Sequence, residues 1–173
     1  DILAVKNAFE VYKILPELAP FSLNDLKKAH GIMMNGLIDG AGVLRTKSVG
    51  VISESGKVIH VAPPHNMVSV LMSQLFDWLR TSKTHMLIRS SVFHYEFEFI
   101  HPFADGNGRM GRFWQTVLLA SWKPIFEWIP VESIIKDNQD EYYRAIGLST
   151  AEGKSNRFIL FMLGVIKQAI EDI

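Results

Sequence analysis

The chain has 173 residues, 48 % of them apolar and 21 % charged, and its 18 basic and 18 acidic residues cancel to a formal net charge of zero. That size suits one domain, the apolar share excludes disorder, and the neutral balance argues against binding nucleic acid by phosphate neutralisation. With no cysteine and six histidines, disulfides, thiol catalysis and zinc–thiolate sites are excluded, and the histidines remain as metal ligands or bases.

The chain opens Asp1-Ile2-Leu3 without Met or a signal-peptide pattern, which reads as a processing boundary with sequence expected upstream. Ile2, Val5, Phe9 and Tyr12 recur at helical spacing until Pro16, predicting a helix with that face in the core. Ser22 followed by Asp25 predicts the start of a second helix, with Leu23, Leu26 and Met33 on its buried side. Residues 49–62 differ: two β-branched runs flank Glu54-Ser55-Gly56-Lys57, which predicts a hairpin. Pro63-Pro64 ends it. Met67, Val70, Leu71, Gln74, Leu75 and Trp78 then predict an amphipathic helix, and another helix is expected from about residue 87 to His101. Phe158, Ile159, Phe161, Met162, Val165, Ile166 and Ala169 predict the last. Trp122 and Trp128 are expected in the core, a homodimer face being the alternative. No linker, repeat or low-complexity tract interrupts residues 1–173. No uncharged apolar run reaches about 18 residues, so no membrane span is expected.

The segment His101-Pro102-Phe103-Ala104-Asp105-Gly106-Asn107-Gly108-Arg109-Met110-Gly111-Arg112 carries the chemistry. Pro102 disfavours the α conformation at His101, so the arriving helix should end there with an imidazole facing a loop. Gly106-Asn107-Gly108 tolerates positive φ and can aim consecutive N–H groups at one point. The helix that follows aims its positive dipole end at the same point. Arg109 and Arg112 are expected in its first turn, where cations oppose the dipole by about 0.3–1 kcal/mol each. A bound polyanion would resolve the conflict. Asp105 adds a carboxylate beside phosphates, a setting that suits Mg²⁺, and His101 is within reach as a general base. Taken singly, a terminal histidine, an Asp-Gly turn or a Gly-Asn-Gly loop is ordinary. Their joint occurrence with two misplaced arginines is not. The segment also contains G-x-G-x-x-G at Gly106–Gly111, but a dinucleotide-binding fold is rejected. Pro102 and Asp105 precede the glycines, no βαβ unit flanks them, and His101 and both arginines would be left without a role.

These residues resemble the signature of the Fic (filamentation induced by cyclic AMP) domain, H-P-F-x-[D/E]-G-N-[G/K]-R-x-x-R, with every fixed position filled. Arg45, Val49, Val51, His60-Val-Ala-Pro63-Pro64, His94 with Phe97 and Ile100, and Glu141-Tyr142-Tyr143-Arg144-Ala145 extend the likeness from about residue 20 onward. The resemblance implies an all-α fold, a Fic-type helical bundle with one small β-hairpin flap over the active site. The flap would span about residues 46–62 and the active-site loop residues 101–112. It implies a cytoplasmic protein adenylyltransferase that moves AMP from ATP to a Ser, Thr or Tyr hydroxyl of a target, with self-modification.

Residue by residue, His101 would take the hydroxyl proton and Asp105 would hold Mg²⁺ or Mn²⁺. Gly106, Asn107 and Gly108, with the Asn107 side chain, would cradle the phosphates. Arg109 would hold the β-phosphate side, and Arg112 the γ-phosphate or the shape of the site. Phe103 would anchor the loop, and Tyr142 and Tyr143 would line the adenosine pocket. Val51, Ile52 and His60 would border the nucleotide, while the flap, Val61 included, would take a target segment by strand addition. Gly at both 106 and 108 favours AMP transfer over phosphorylation. Removal of AMP, another phosphoryl-type transfer, or a nucleotide-binding interaction module are the alternatives. The inhibitory pattern [S/T]-x-x-x-E-[G/N] is absent from this sequence, so an inhibitory helix is expected upstream, the alternatives being a separate partner that supplies it or a member without inhibition.

Overall fold

The structure, a computed structural model, describes residues 1–173. Its helices are α1 (Ile2–Lys13) and α2 (Leu23–Met33), then α3 (His65–Thr81), α4 (Met86–Ile100) and α5 (Asn107–Trp122), and finally α6 (Val131–Asp137), α7 (Gln139–Glu152) and α8 (Asn156–Glu171). Between α2 and α3 the strands β1 (Gly50–Ile52) and β2 (Val58–Val61) form the only sheet. The helical bundle with one hairpin is therefore as the sequence predicts. No helix is long and apolar enough to cross a membrane.

The hairpin pairs Gly50 with Val61 and Val51 with His60, and then a bulge puts Ile52 opposite Val58. Gly56 makes its turn at φ +80°. At the predicted cap of α2, Ser22 Oγ accepts from Asp25 N–H at 3.1 Å. The Asp25 carboxylate turns to Ala19 N–H instead of completing a reciprocal box.

The centre of the molecule is α4, packed between α5, α8 and α3. Phe93, Tyr95, Phe97 and Ile100 are buried around it together with the polar Ser90, Ser91, His94 and Glu98. A helix enclosed on all sides has no polar face, and for that reason its sequence lacks clean helical periodicity.

Two helices turn a different face to the core than their apolar spacing suggests. On α1, Asn7 and Val11 are buried, whereas Ile2, Val5 and Phe9 are 89 %, 71 % and 67 % exposed. Asn7 Nδ2 donates to the Asn35 carbonyl at 2.8 Å, which satisfies the amide on the face turned inward. On α3 the buried stripe is Val68, Met72, Leu75, Phe76 and Leu79, with Met67 and Val70 exposed. Trp122 and Trp128 are not core residues, being 37 % and 81 % exposed. On α8 the expected core residues Phe158, Met162, Val165, Ile166 and Ala169 are buried.

Candidate active site

α4 stops at His101, the one non-glycine residue with positive φ (+50°). Pro102 forbids a further helical turn, so the imidazole swings out of the helix path. A left-handed non-glycine residue costs about 1–2 kcal/mol and needs support. Arg45 supplies it. Its buried guanidinium donates from Nε to the His101 carbonyl at 2.7 Å and from Nη2 to the Ile100 carbonyl at 3.1 Å. The same group reaches the Lys47 and Pro63 carbonyls, one on each leg of the hairpin. One side chain thus closes the end of α4 and ties the hairpin to it.

The loop is braced from within. Phe103 is fully buried and stacks on His30 with ring centroids 3.6 Å apart. His30 Nδ1 accepts from Gly42 N–H at 2.8 Å, so its Nε2–H donates to the Asp105 carbonyl, also at 2.8 Å. The Asn107 side chain accepts from Phe103 N–H at 2.9 Å and donates to the Phe103 carbonyl at 2.8 Å. It therefore closes the loop, with its second Nδ2–H left for a ligand at the cavity it lines. Gly106 has φ +80°, and a Cβ there would come within 2.6 Å of Met34 Sδ. A larger residue would have to adopt the left-handed conformation and displace the buried Met34 side chain.

Beyond Gly106 α5 begins. Arg109 lies in its first turn and is exposed; Arg112 lies in the second turn, not the first. Arg112 Nε is 3.4 Å from Glu132 Oε1, and Glu132 Oε2 accepts from Tyr12 Oη at 2.5 Å. Burial works against the Arg112 charge, but Tyr142, Glu132 and Glu98 outweigh it and raise its pKa. Arg112 thus stands beyond the reach of the dipole conflict and is paired with a protein carboxylate, while Arg109 remains the first-turn cation.

These groups face one cavity of about 370 Å³. His101, Asp105, Arg112 and the start of α5 line it below Gly50–Ile52. Burial holds the His101 pKa down at about 4, so the imidazole is neutral at pH 7 and its lone pair is available. Asp105 Oδ1 accepts from Gly106 N–H at 2.7 Å, and its other oxygen takes no hydrogen bond from the protein. No cluster of three or more His, Asp or Glu could cage a metal. A cation here would need the oxygens of a bound polyphosphate beside Asp105, which is how Mg²⁺ is held at phosphate sites. The donor set fits that ion.

Residues 20–119 match the model of the Fic/DOC family. The chain belongs to the Fic/DOC family. It is 44 % identical to a Fic family protein from Desulfovibrio desulfuricans G20, with a TM-score of 0.94 over 98 % of this chain and 52 % of that one. It is 31 % identical over 117 residues to the protein adenylyltransferase Fic of Drosophila willistoni, which is 65 % of this chain and 22 % of that protein. A probable protein adenylyltransferase of Aquifex aeolicus is 49 % identical over 51 residues, 29 % of this chain and 16 % of the other. The fold also matches Fic-1 of C. elegans, with a TM-score of 0.70 at 19 % identity over 99 % of this chain and 50 % of that one. The chain spans about a fifth of the length of the Drosophila relative.

Within this Fic fold the remaining predicted residues separate. Tyr143 is half-buried and borders both the cavity and a neighbouring cleft of about 490 Å³ between the hairpin and α7. Tyr142 is buried, with its hydroxyl 2.9 Å from His94 Nε2, so it forms the wall behind the cavity. Val51 and Ile52 line the cavity. His60 does not: its ring packs on Phe99 and its Nε2 is 2.8 Å from the Phe99 carbonyl. Val61 is 74 % exposed and also lies outside the cavity.

Two functional neighbours escape the sequence reading. Glu98 is 3 % exposed in α4 and lines the cavity beside His101. An acid three residues before His101 in an apolar helix was the available signal. Glu132, which holds Arg112, had no local signal, because it lies 20 residues further on.

Proposed function

We propose that this chain is the catalytic unit of a protein adenylyltransferase. A target hydroxyl attacks the α-phosphorus of ATP. Its proton passes to His101, a new P–O bond forms, and the bond to the β-phosphate oxygen breaks to release pyrophosphate. The observation that carries this reading is a neutral imidazole facing a cavity whose floor is a helix N-terminus beside Asp105 and two arginines. Such transfer asks the protein mainly for positioning and charge stabilisation. Asp105 would hold Mg²⁺, which supplies neutralisation of phosphate charge. The N–H groups of Asn107, Gly108 and Arg109 and the Arg109 and Arg112 guanidiniums would hold the phosphates, and Tyr143 would border the adenosine. Val51 and Ile52 would border the nucleotide. The hairpin's outer edge, with Val61, would take a target segment of extended chain.

The test is incubation of the chain, alone and with lysate proteins, with ATP labelled in turn at the α- and the γ-phosphate, in Mg²⁺ and beside His101→Ala. Protein label from the α-position, as one AMP by mass, and its loss in the variant are expected. Label from the γ-position alone would replace the proposal with phosphoryl transfer. No label from either would overturn it.

A further inference from the structure

Glu98 and His101, neighbours at the end of α4, each keep a buried polar atom without a partner. Glu98 Oε1 and His101 Nδ1 have no hydrogen bond, and Glu98 Oε2 lies 3.8 Å from that Nδ1. The left-handed turn at His101 sets the ring beside the last turn of α4, three residues from Glu98. The Glu98 carboxyl lies against α5 at Gly111. A Cβ on Gly111 would come within 2.6 Å of Glu98 Oε1 and 3.2 Å of the His94 ring. Gly111, at an unspecified position of the signature, is thus the residue that makes room for this acid.

We propose that Glu98 is the positioning residue of His101: its carboxylate receives the Nδ1–H and leaves Nε2 bare toward the cavity. This rests on the transfer reaction proposed above, where Nε2 receives the hydroxyl proton. A neutral imidazole has two tautomers, and only the one protonated at Nδ1 presents a basic Nε2. When Nε2 takes the proton, a positive charge forms on the ring, and the carboxylate beside Nδ1 stabilises it. The Nδ1 proton stays on the ring throughout. Closing a 3.8 Å gap to hydrogen-bond length takes a side-chain shift of about 1 Å. Apo catalytic pairs commonly sit this loosely.

The surroundings suit the role. Burial raises the Glu98 pKa to about 7, while the facing Arg112 lowers it, so the carboxylate is within reach at neutral pH. Tyr142 also faces Glu98. Around His101 burial is opposed by the Glu98 backbone carbonyl and by Asp105, while Arg45 and His60 disfavour a ring charge. An ionised Glu98 is the group placed to offset the Arg45 charge at the His101 ring.

The experiment uses the chain labelled with ¹⁵N-histidine, without nucleotide, as wild type, Glu98→Gln and Glu98→Leu. His101→Ala assigns the His101 signals. The wild type should show the Nδ1–H tautomer at pH 8. Glu98→Gln keeps an acceptor without charge, so the tautomer should persist while the His101 pKa falls. Glu98→Leu should give mixed tautomers. In the transfer assay Glu98→Gln should lower kcat about 10–10²-fold with an unchanged KM for ATP, and Glu98→Asp should recover part of it. Should Glu98→Leu not fold, Glu98→Gln decides alone: a His101 pKa and kcat equal to wild type overturn the proposal. The same tautomer and pKa in all three proteins do so too. A wild type without transfer refutes the reaction, and the histidine spectra still judge the pair.

Discussion

The 101–112 corner and the 50–61 hairpin face the same cavity and are built on opposite terms. In the corner side chains brace the backbone: Arg45 holds the end of α4, His30 the Asp105 carbonyl, and Asn107 both backbone groups of Phe103. In the hairpin Val51 alone of the strand residues is buried, while Ile52, Val58 and Val61 are 54 %, 56 % and 74 % exposed. Two strands leave an unpaired outer edge on each. The difference teaches that phosphate chemistry needs donors held in place, whereas accepting an extended partner needs backbone groups left open.

The largest effect should come from His101→Ala, which removes the base and leaves the brace. Transfer should fall about 10²–10⁴-fold, with ATP affinity by calorimetry nearly unchanged. Full activity in that variant would break the comparison at its root.

Next comes a matched pair of glycines. Gly106 and Gly56 both have φ +80°, but a Cβ meets Met34 Sδ at 2.6 Å in the corner and nothing within 4 Å in the turn. Both Ala variants carry the left-handed penalty of about 1–2 kcal/mol. Gly106→Ala should lose more, by about 1–3 kcal/mol of overpacking. Equal urea midpoints would show that the corner yields as easily as the flap.

Acid stability probes the corner further. Burial lowers the pKa of His30, of His94 to about 3 and of His101 to about 4, so the unfolded chain binds more protons below about 6.5. Stability is full above that pH and is lost as pH falls. Glu98 has the opposite sign: raised from 4.5 to about 7, its contribution is complete below 4.5 and fades as pH rises to about 7. The two oppose each other between about 4.5 and 6.5. The wild type should therefore lose stability gently to pH 5 and steeply below it, and Glu98→Gln should start its loss nearer pH 6.5. Parallel urea curves for the two proteins would contradict the Glu98 environment.

The smallest effect on stability belongs to the flap. Val61→Ala should move it by no more than about 0.5 kcal/mol and leave ATP binding intact, while transfer to a separate target drops. Unchanged target transfer would remove Val61 from recognition.

What sequence alone determined here was local. Pro102 ended α4 at His101, Gly106 and Gly56 marked two left-handed turns, Ser22 capped α2, and His101–Arg112 carried the family's signature. Each signal acts through backbone geometry within a few residues, so it can be read without the rest of the chain. The tertiary structure decided which faces of α1 and α3 are buried, and it set the Asn107 side chain to brace Phe103 and packed His60 on Phe99. It also brought His30 to Asp105 across 75 positions, Arg45 to His101 across 56, and Glu132 to Arg112 across 20. Burial and hydrogen bonding at such separations depend on which surfaces meet, and that is a property of the packed bundle rather than of any segment within it.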